Sequence, residues 1–371
     1  MKSITHIFIE RELNHPQTLD LLSLPAQIPL IPVDDVHSVF AQINAAPDPI
    51  AAGKSTLLIA RNRGRFIRPC PGTREYTCCG YTILNVANFC SMDCAYCILQ
   101  TYFHPPLLQL YVNYEDLESE LASAFVRREF RRIGTGEFSD SLIWEDICGI
   151  SARLVKRFAR QAHAVLELKT KSARIQTLAG LEHNRRTIVS WSLNSPAVIR
   201  ANERGTASLT ARLKAARECE RWGYPLAFHL DPLVLYDGWR EDYRSVVQLL
   251  FQYVSPHNIA WISMGSLRYM PSLKPVMIKR FPESTIAYGE MITGLDGKQR
   301  YFKPLRIELY QRLAEWFRHY DPDLCLYLCM EDTEVWTRSL GLTLSAEGDL
   351  ARMLDNSAIR VCGLNEPGVS G

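Results

Sequence analysis

The stretch YTILNVANFCSMDCAYC, residues 81–97, decides how this chain is read. Its first half, YTILNVA (81–87), is an apolar run of strand length, and three cysteines, Cys90, Cys94 and Cys97, follow at once. Downstream the strand signature returns as RRIGTGE (131–137), AVLELKT (164–170), TIVSWSL (187–193), LAFHLDP (226–232) and NIAWISM (258–264). Helical patterns such as YEDLESELASAFVRR and SLTARLKAARECERWG lie between most of them. Strands alternating with helices imply a parallel sheet with right-handed crossovers. Six units fall short of an eight-fold barrel of ~250 residues. The fold expected is therefore α/β, a six-stranded (βα)6 partial TIM barrel over residues 81–268, with function at the C-terminal ends of its strands.

Working outward, residues 1–62 alternate short strands (THIFIE, IPLIPV, TLLIAR) with helical stretches (TLDLLSL, DDVHSVFAQI). AAPDPIAAGK reads as a connector, and the whole as a small N-terminal α/β domain. Residues 63–80, rich in Gly, Pro and Arg, read as a linker. Residues 269–371 form a C-terminal extension with a hairpin around Asp296-Gly297, a helix (RIELYQRLAEWFRHY), a strand (LCLYLCM) and a final helix.

Composition narrows the function. Of 371 residues, 47% are apolar, which excludes a disordered chain. No apolar run approaches the ~18 residues of a membrane span. The N-terminus meets Glu10 and Arg11 before a signal-peptide core can form, so a cytoplasmic location without membrane attachment is expected. Lys and Arg number 42 against 40 Asp and Glu, so any affinity for nucleic acid must come from a local patch. Eleven cysteines in such a chain point to metal or redox chemistry rather than a disulfide framework.

Cys90, Cys94 and Cys97, spaced four and three apart, suit one [4Fe–4S] cluster with an iron left free of protein ligands. Electron-transfer ferredoxins supply four cysteines, whereas an open coordination position is the mark of a catalytic metal site. The alternative is structural zinc with Cys78 or Cys79 as fourth ligand. Closed zinc sites favour paired CxxC knuckles, and only Cys94–Cys97 has that spacing.

CxxxCxxC with an aromatic, Tyr96, before its last cysteine, at the end of the first strand of a partial barrel, resembles the radical S-adenosylmethionine superfamily. HIFIE, GRFIRPCPGT, CAYCILQ, FSDS, LKTKS, SWSLN and RWGYPLAFHLDP are, more narrowly, similar to the spore photoproduct lyase family, which directly reverses a thymine–thymine photoadduct in DNA. The resemblance implies a [4Fe–4S] cluster, S-adenosylmethionine as cofactor, and a low-potential electron donor such as flavodoxin or ferredoxin. It implies that the backbone of Tyr96 contacts adenine, and that Glu137, ending GTGE, and Ser139, in FSDS, lie at the methionine amino group. Lys171 in LKTKS then suits the cofactor carboxylate, and Ser192 in SWSLN the ribose. Tyr96 and Glu137 are the candidate catalytic residues.

Two positions depart from the lyase pattern. Glu137 stands where the family places a hydrogen-donating cysteine, and Ile98 where it places a tyrosine. Either a related lesion is repaired with another hydrogen source, such as the reformed 5′-deoxyadenosine, or the substrate is different, with Glu137 binding the cofactor. A non-catalytic, metal-stabilised DNA-binding protein is the reading from outside enzymology.

On the substrate side, GLDGKQRYFK (294–303) places Asp-Gly at an expected type I′ turn followed by basic residues. It looks like the lyase hairpin that enters DNA beside a flipped lesion, making Lys298 and Arg300 DNA-binding candidates. Arginines 61, 63, 65 and 68 and the run RREFRR (127–132) are further candidates for phosphate contacts. Cys148, Cys325 and Cys329, with His163 and His229, read as core residues, and Cys70, Cys78 and Cys79 carry no assigned role.

Overall fold

The computed structural model describes residues 4–72, 75–127, 129–344 and 346–364. Its main sheet has eight strands, curled as a half-barrel. From edge to edge they are Ile67–Pro69, Thr82–Leu84, Arg131–Gly134, Ala164–Thr170, Thr187–Ser192, Leu226–Leu233, Ile259–Ser266 and Leu326–Leu328. Ile67–Pro69 pairs antiparallel and every other neighbour is parallel. The six expected strands are present, and two more extend the sheet. LCLYLCM joins the parallel run beside Ile259–Ser266 after the crossover helix Lys303–Arg318. GRFIRP contributes the opposite edge, where Pro69, which lacks a ladder donor, is tolerated.

A second sheet, ordered Leu30–Val33, His6–Glu10, Thr56–Ala60, Leu108–Tyr111, Ala87–Asn88, packs behind the first. Its last two strands come from beyond residue 62, so the N-terminal unit is completed by chain from the barrel's first βα segment. One apolar core runs through both sheets, from Ile4 to Cys362. The expected connector AAPDPIAAGK instead forms the helix Pro49–Ser55. Asp48 caps it by accepting from the Ala51 amide at 3.0 Å, and Pro49 opens its first turn.

The curl brings the two edges of the main sheet together. The Thr77 amide reaches the Glu331 carbonyl at 3.4 Å, and Arg132 pairs with Asp355 of the last helix, Asp349–Cys362, at 2.6 Å. Over this seam lies the hairpin formed by Ile292–Thr293 and Gln299–Arg300, paired to Arg268–Tyr269. Its turn is wider than the expected two-residue type. Gly294 accepts from the Gly297 amide at 3.0 Å and donates to the Lys298 carbonyl at 2.8 Å, and the left-handed conformation falls on Gly297, with Asp296 outside it. Among the described residues no helix is long and apolar enough to cross a membrane.

Candidate active site

The CSMDCAYC loop is held from behind by buried cations. Lys54, on the Pro49–Ser55 helix, donates to the carbonyls of Cys90 at 2.8 Å and Met92 at 2.6 Å, and lies 3.7 Å from the Asp93 carboxylate. Arg280 donates to Asp93 at 2.9 Å. Gln100 ties the carbonyls of Cys94 and Ala95, both at 3.1 Å. Phe89, just before Cys90, has a φ of 65°, a costly left-handed conformation for a bulky residue that this packing holds in place. With these carbonyls engaged, the loop carries three unbridged thiols.

These thiols suit a cluster. Burial pushes Cys90 up to about 12 and Cys94 well above its usual value, and the neighbouring Cys97 adds to both shifts. As bare thiols they keep their protons; ligation as thiolates would offset that cost. Among the described residues no three His, Cys, Asp or Glu side chains are gathered closely enough to hold a single metal ion. Cys78 is exposed and Cys79 packs with Tyr81, Ile83 and Phe138, and neither is gathered with the loop's thiols into a set that could hold one metal ion.

Facing the loop is a buried polar group drawn from four segments. Glu203 pairs across a short antiparallel ladder with Cys94. Its carboxylate accepts from the Tyr96 hydroxyl and from Arg212 at 2.5 Å, and lies 3.9 Å from the Lys171 ammonium. Burial opposes its charge, but Lys171 and Arg212 outweigh burial and hold the carboxyl below its ordinary value. Arg212 also donates to the Ser192 carbonyl at 2.8 Å, and the Lys171 ammonium lies 5.8 Å from the Tyr96 ring centroid. Asp140 accepts from the Lys171 amide and the Thr170 hydroxyl, both at 2.7 Å, tying FSDS to LKTKS. Ser139 beside it accepts from the Trp144 indole at 3.0 Å. Tyr96, Ser139, Lys171 and Ser192 are thus assembled at one end of the sheet, as the strand-end rule anticipates.

Glu137 is placed differently. Gly134 and Gly136 let the strand end pack tightly: a Cβ at Gly134 would meet the Tyr81 hydroxyl at 1.8 Å, and one at Gly136 the Lys169 Cβ at 2.6 Å. This packing delivers the Glu137 carboxylate to the Lys169 ammonium, an ion pair shielded from most solvent. Burial works against the charge on Lys169, but Glu137 and Glu167 raise its pKa. Below them Oε1 of Glu167 is 2.7 Å from Nε2 of His229; burial is outweighed by the histidine and Glu167 is held at about 2. Glu137 therefore sits on the seam side, where its charge opposes ionisation of Cys70, Cys79 and Cys329. Cys329 accepts from Arg268 at 3.2 Å, and Arg268 pairs with Asp231 at 2.9 Å. Cys329 thus packs against the core, as expected, and its sulfur also meets this polar group.

The hairpin basics are corrected by the structure. Arg300 is buried, donating to Asp296 at 2.7 Å and to the Met330 carbonyl at 3.0 Å, with its guanidinium over the Tyr76 ring. Lys298 pairs with Asp296 at 3.0 Å. Their donors are committed within the protein and shape the hairpin; the large side chains exposed here are apolar, Leu295 in the hairpin at 73% and Phe302 just after it at 57%. Arg61 and Arg63 are paired with Asp116 and Glu10, Arg132 is buried, and Arg128 lies outside the described residues.

Sequence reasoning missed Lys54, Asp140, Glu203 and Arg212. One signal was present: Arg212 falls on the same helical face as Leu209, Leu213 and Ala216, and an arginine on an apolar face demands a buried counter-charge.

A cysteine loop at the mouth of a curled parallel sheet, with a lysine and an aromatic turned towards it, is the arrangement of the radical S-adenosylmethionine proteins, and this chain is one of them. A family profile for spore photoproduct lyase matches residues 52–303, more than half of the chain, which therefore belongs to that family. The spore photoproduct lyase of Clostridium acetobutylicum is 25% identical over 306 residues, covering 80% of this chain and 86% of its own. That of Bacillus subtilis is 27% identical over 243 residues, covering 64% and 69%. Among solved structures, a spore photoproduct lyase complexed with dinucleoside spore photoproduct superposes with a TM-score of 0.73 at 21% identity, over 87% of this chain and 98% of that one, a likeness of fold.

Proposed function

We propose that the chain is a radical S-adenosylmethionine enzyme that reverses a thymine photoproduct in DNA without excising it. When bound, a [4Fe–4S] cluster and S-adenosylmethionine supply a 5′-deoxyadenosyl radical able to abstract hydrogen from the lesion. Cys90, Cys94 and Cys97 hold the cluster as thiolates. Lys171 takes the cofactor carboxylate, Ser139 its ammonium end, the backbone of Tyr96 the adenine and Ser192 the ribose. The observation that carries this reading is the convergence of Tyr96, Lys171, Ser192 and Glu203 on the cysteine loop.

DNA meets the extension beyond residue 269. Leu295 and Phe302 act there as an apolar wedge, the device by which proteins unstack a base step, and Asp296, Arg300 and Lys298 stiffen the hairpin from within. The electron donor is a low-potential protein of the flavodoxin or ferredoxin kind. Repair is redox-neutral for the DNA, so the abstracted hydrogen must be replaced. Glu137 is unsuited to that, because a carboxylic O–H bond is too strong and the carboxylate is engaged by Lys169. Cys70, packed on Tyr81 and Phe138 beside Glu137, supplies the hydrogen instead.

The test is reductive cleavage by anaerobically reconstituted protein, with photoproduct-bearing and undamaged DNA. Lesion-dependent 5′-deoxyadenosine with thymine restored supports the reading. Cleavage without repair indicates another substrate, and a loaded cluster that cleaves nothing indicates a metal-stabilised DNA-binding protein.

A further inference from the structure

Glu203 does more than occupy a buried position. Its side chain is 1% exposed and its ladder partner is Cys94. Arg212 fixes it at 2.5 Å and is itself locked by the carbonyls of Ala207 and Ser192 and the hydroxyl of Thr206. The Tyr96 hydroxyl holds the second side of the carboxylate. Lys171 stands 3.9 Å away, near enough to oppose the charge and too far to be spent on it as a hydrogen-bond donor.

We propose that Glu203 is a positioning residue whose fixed negative charge, opposed by Lys171, sets the reduction potential of the cluster bound through Cys94. Iron–sulfur potentials respond to local charge, hydrogen bonding and solvent exposure. A reduced cluster carries one more negative charge, so a buried anion beside a ligand makes reduction harder and the reduced state a stronger electron donor. Burial keeps this interaction from being screened by salt. Glu203 also holds Tyr96, with Lys171 3.9 Å away, so one carboxylate links the cluster's potential to the cofactor shell. The inference rests on the cluster assignment made above.

The experiment is a potentiometric titration of the reconstituted protein without S-adenosylmethionine, following the paramagnetic signal of the reduced cluster. Iron and sulfide are counted first. Glu203→Gln should shift the reduction equilibrium about tenfold towards the reduced form, ~59 mV for one electron, and Lys171→Met should shift it the opposite way. Glu203→Asp, which keeps the charge, should stay near the parent. Shifts of the same sign in Glu203→Gln and Lys171→Met, values within twofold of the parent in both, or a Glu203→Asp shift as large as that of Glu203→Gln would overturn the proposal. Glu203→Gln leaves Arg212 without its counter-charge; if that variant loses its iron, Lys171→Met and Glu203→Asp decide alone. A parent protein that takes up no cluster overturns the cluster assignment itself, an outcome the iron count separates from an unshifted potential.

Discussion

Two groups of thiols line this protein, and they are built in opposite ways. Cys90, Cys94 and Cys97 lie on one short loop whose carbonyls are held by Lys54 and Gln100 and whose Asp93 is held by Arg280. Cys70, Cys79 and Cys329 come from both edges of the main sheet and lie near one another because that sheet curls. The first group is positioned by local chain geometry and buried charge, the second by the closure of the fold. A site for a bulky inorganic group gains from a preformed loop; groups that serve the substrate need a chamber with walls from several strands.

The sharpest way to break this comparison is to delete thiols from each group. Cys90→Ala, Cys94→Ala or Cys97→Ala should each abolish a cluster that otherwise gives about four irons and four sulfides per chain. Cys70→Ser, Cys79→Ser and Cys329→Ser should retain it. Loss of metal in Cys79→Ser, with zinc in the parent, would merge the two groups into one structural site.

Next in size is the scaffold behind the loop. Lys54→Met removes a buried ammonium from two carbonyls and leaves Asp93 with one fewer cation. Removing one partner of a buried pair typically costs ~3–5 kcal/mol. Urea unfolding of the apoprotein should show a loss of that order, whereas Cys70→Ser on the seam should cost about 1 kcal/mol. Equal losses would mean that the loop is not specially held.

Much of the first group was legible in the sequence because its determinants are local. The spacing of three cysteines pointed to a cluster, and the resemblance to the lyase family, laid over the βα rhythm, pointed to Tyr96, Lys171 and Ser192. Glu203 was not legible, because its hydrogen bond to Tyr96 spans 107 residues and nothing near it in the chain announces the contact. Arg300 and Lys298 misled for a related reason: a basic pair after Asp-Gly reads as a DNA-contacting hairpin, yet Asp296 captures both. The seam escaped altogether, since Pro69 and the Gly-rich run around it read as linker, and the eighth strand lies far along the chain. Curling of a sheet has no local sequence signature.

The cofactor shell offers a smaller effect. Lys171→Ala should weaken S-adenosylmethionine binding by ~1.5–3 kcal/mol, roughly tenfold to a hundredfold, with iron content intact, as calorimetry on the reconstituted protein would show. Lys169→Ala should leave that affinity close to the parent's, because its ammonium is engaged by Glu137. The reverse ranking would place the cofactor on the seam side.

The smallest expected effect sharpens the role of the seam thiols. In the proposed reaction the rearranged lesion radical would take a hydrogen atom from the Cys70 S–H bond, leaving a repaired thymine and a sulfur radical. One electron from the proposed low-potential donor and one proton from solvent would restore the thiol, so each repair would consume one S-adenosylmethionine and two electrons. Burial raises the pKa of the Cys70 thiol, with Glu137 adding to the shift, so the proton is in place at neutral pH. In deuterated water that thiol carries deuterium, and the restored thymine should gain one deuterium atom from solvent. Return of hydrogen from 5′-deoxyadenosine would give none. Cys70→Ser should lose the label and raise several-fold the number of S-adenosylmethionine molecules cleaved per lesion repaired, while basal cleavage without DNA persists. If Cys329→Ser removes the label and Cys70→Ser does not, the donor is Cys329, fixed by Arg268 on the opposite side of the seam. Solvent label surviving in all three seam variants would leave the chamber thiols without a part in the chemistry, and the contrast between the two groups would be one of architecture alone.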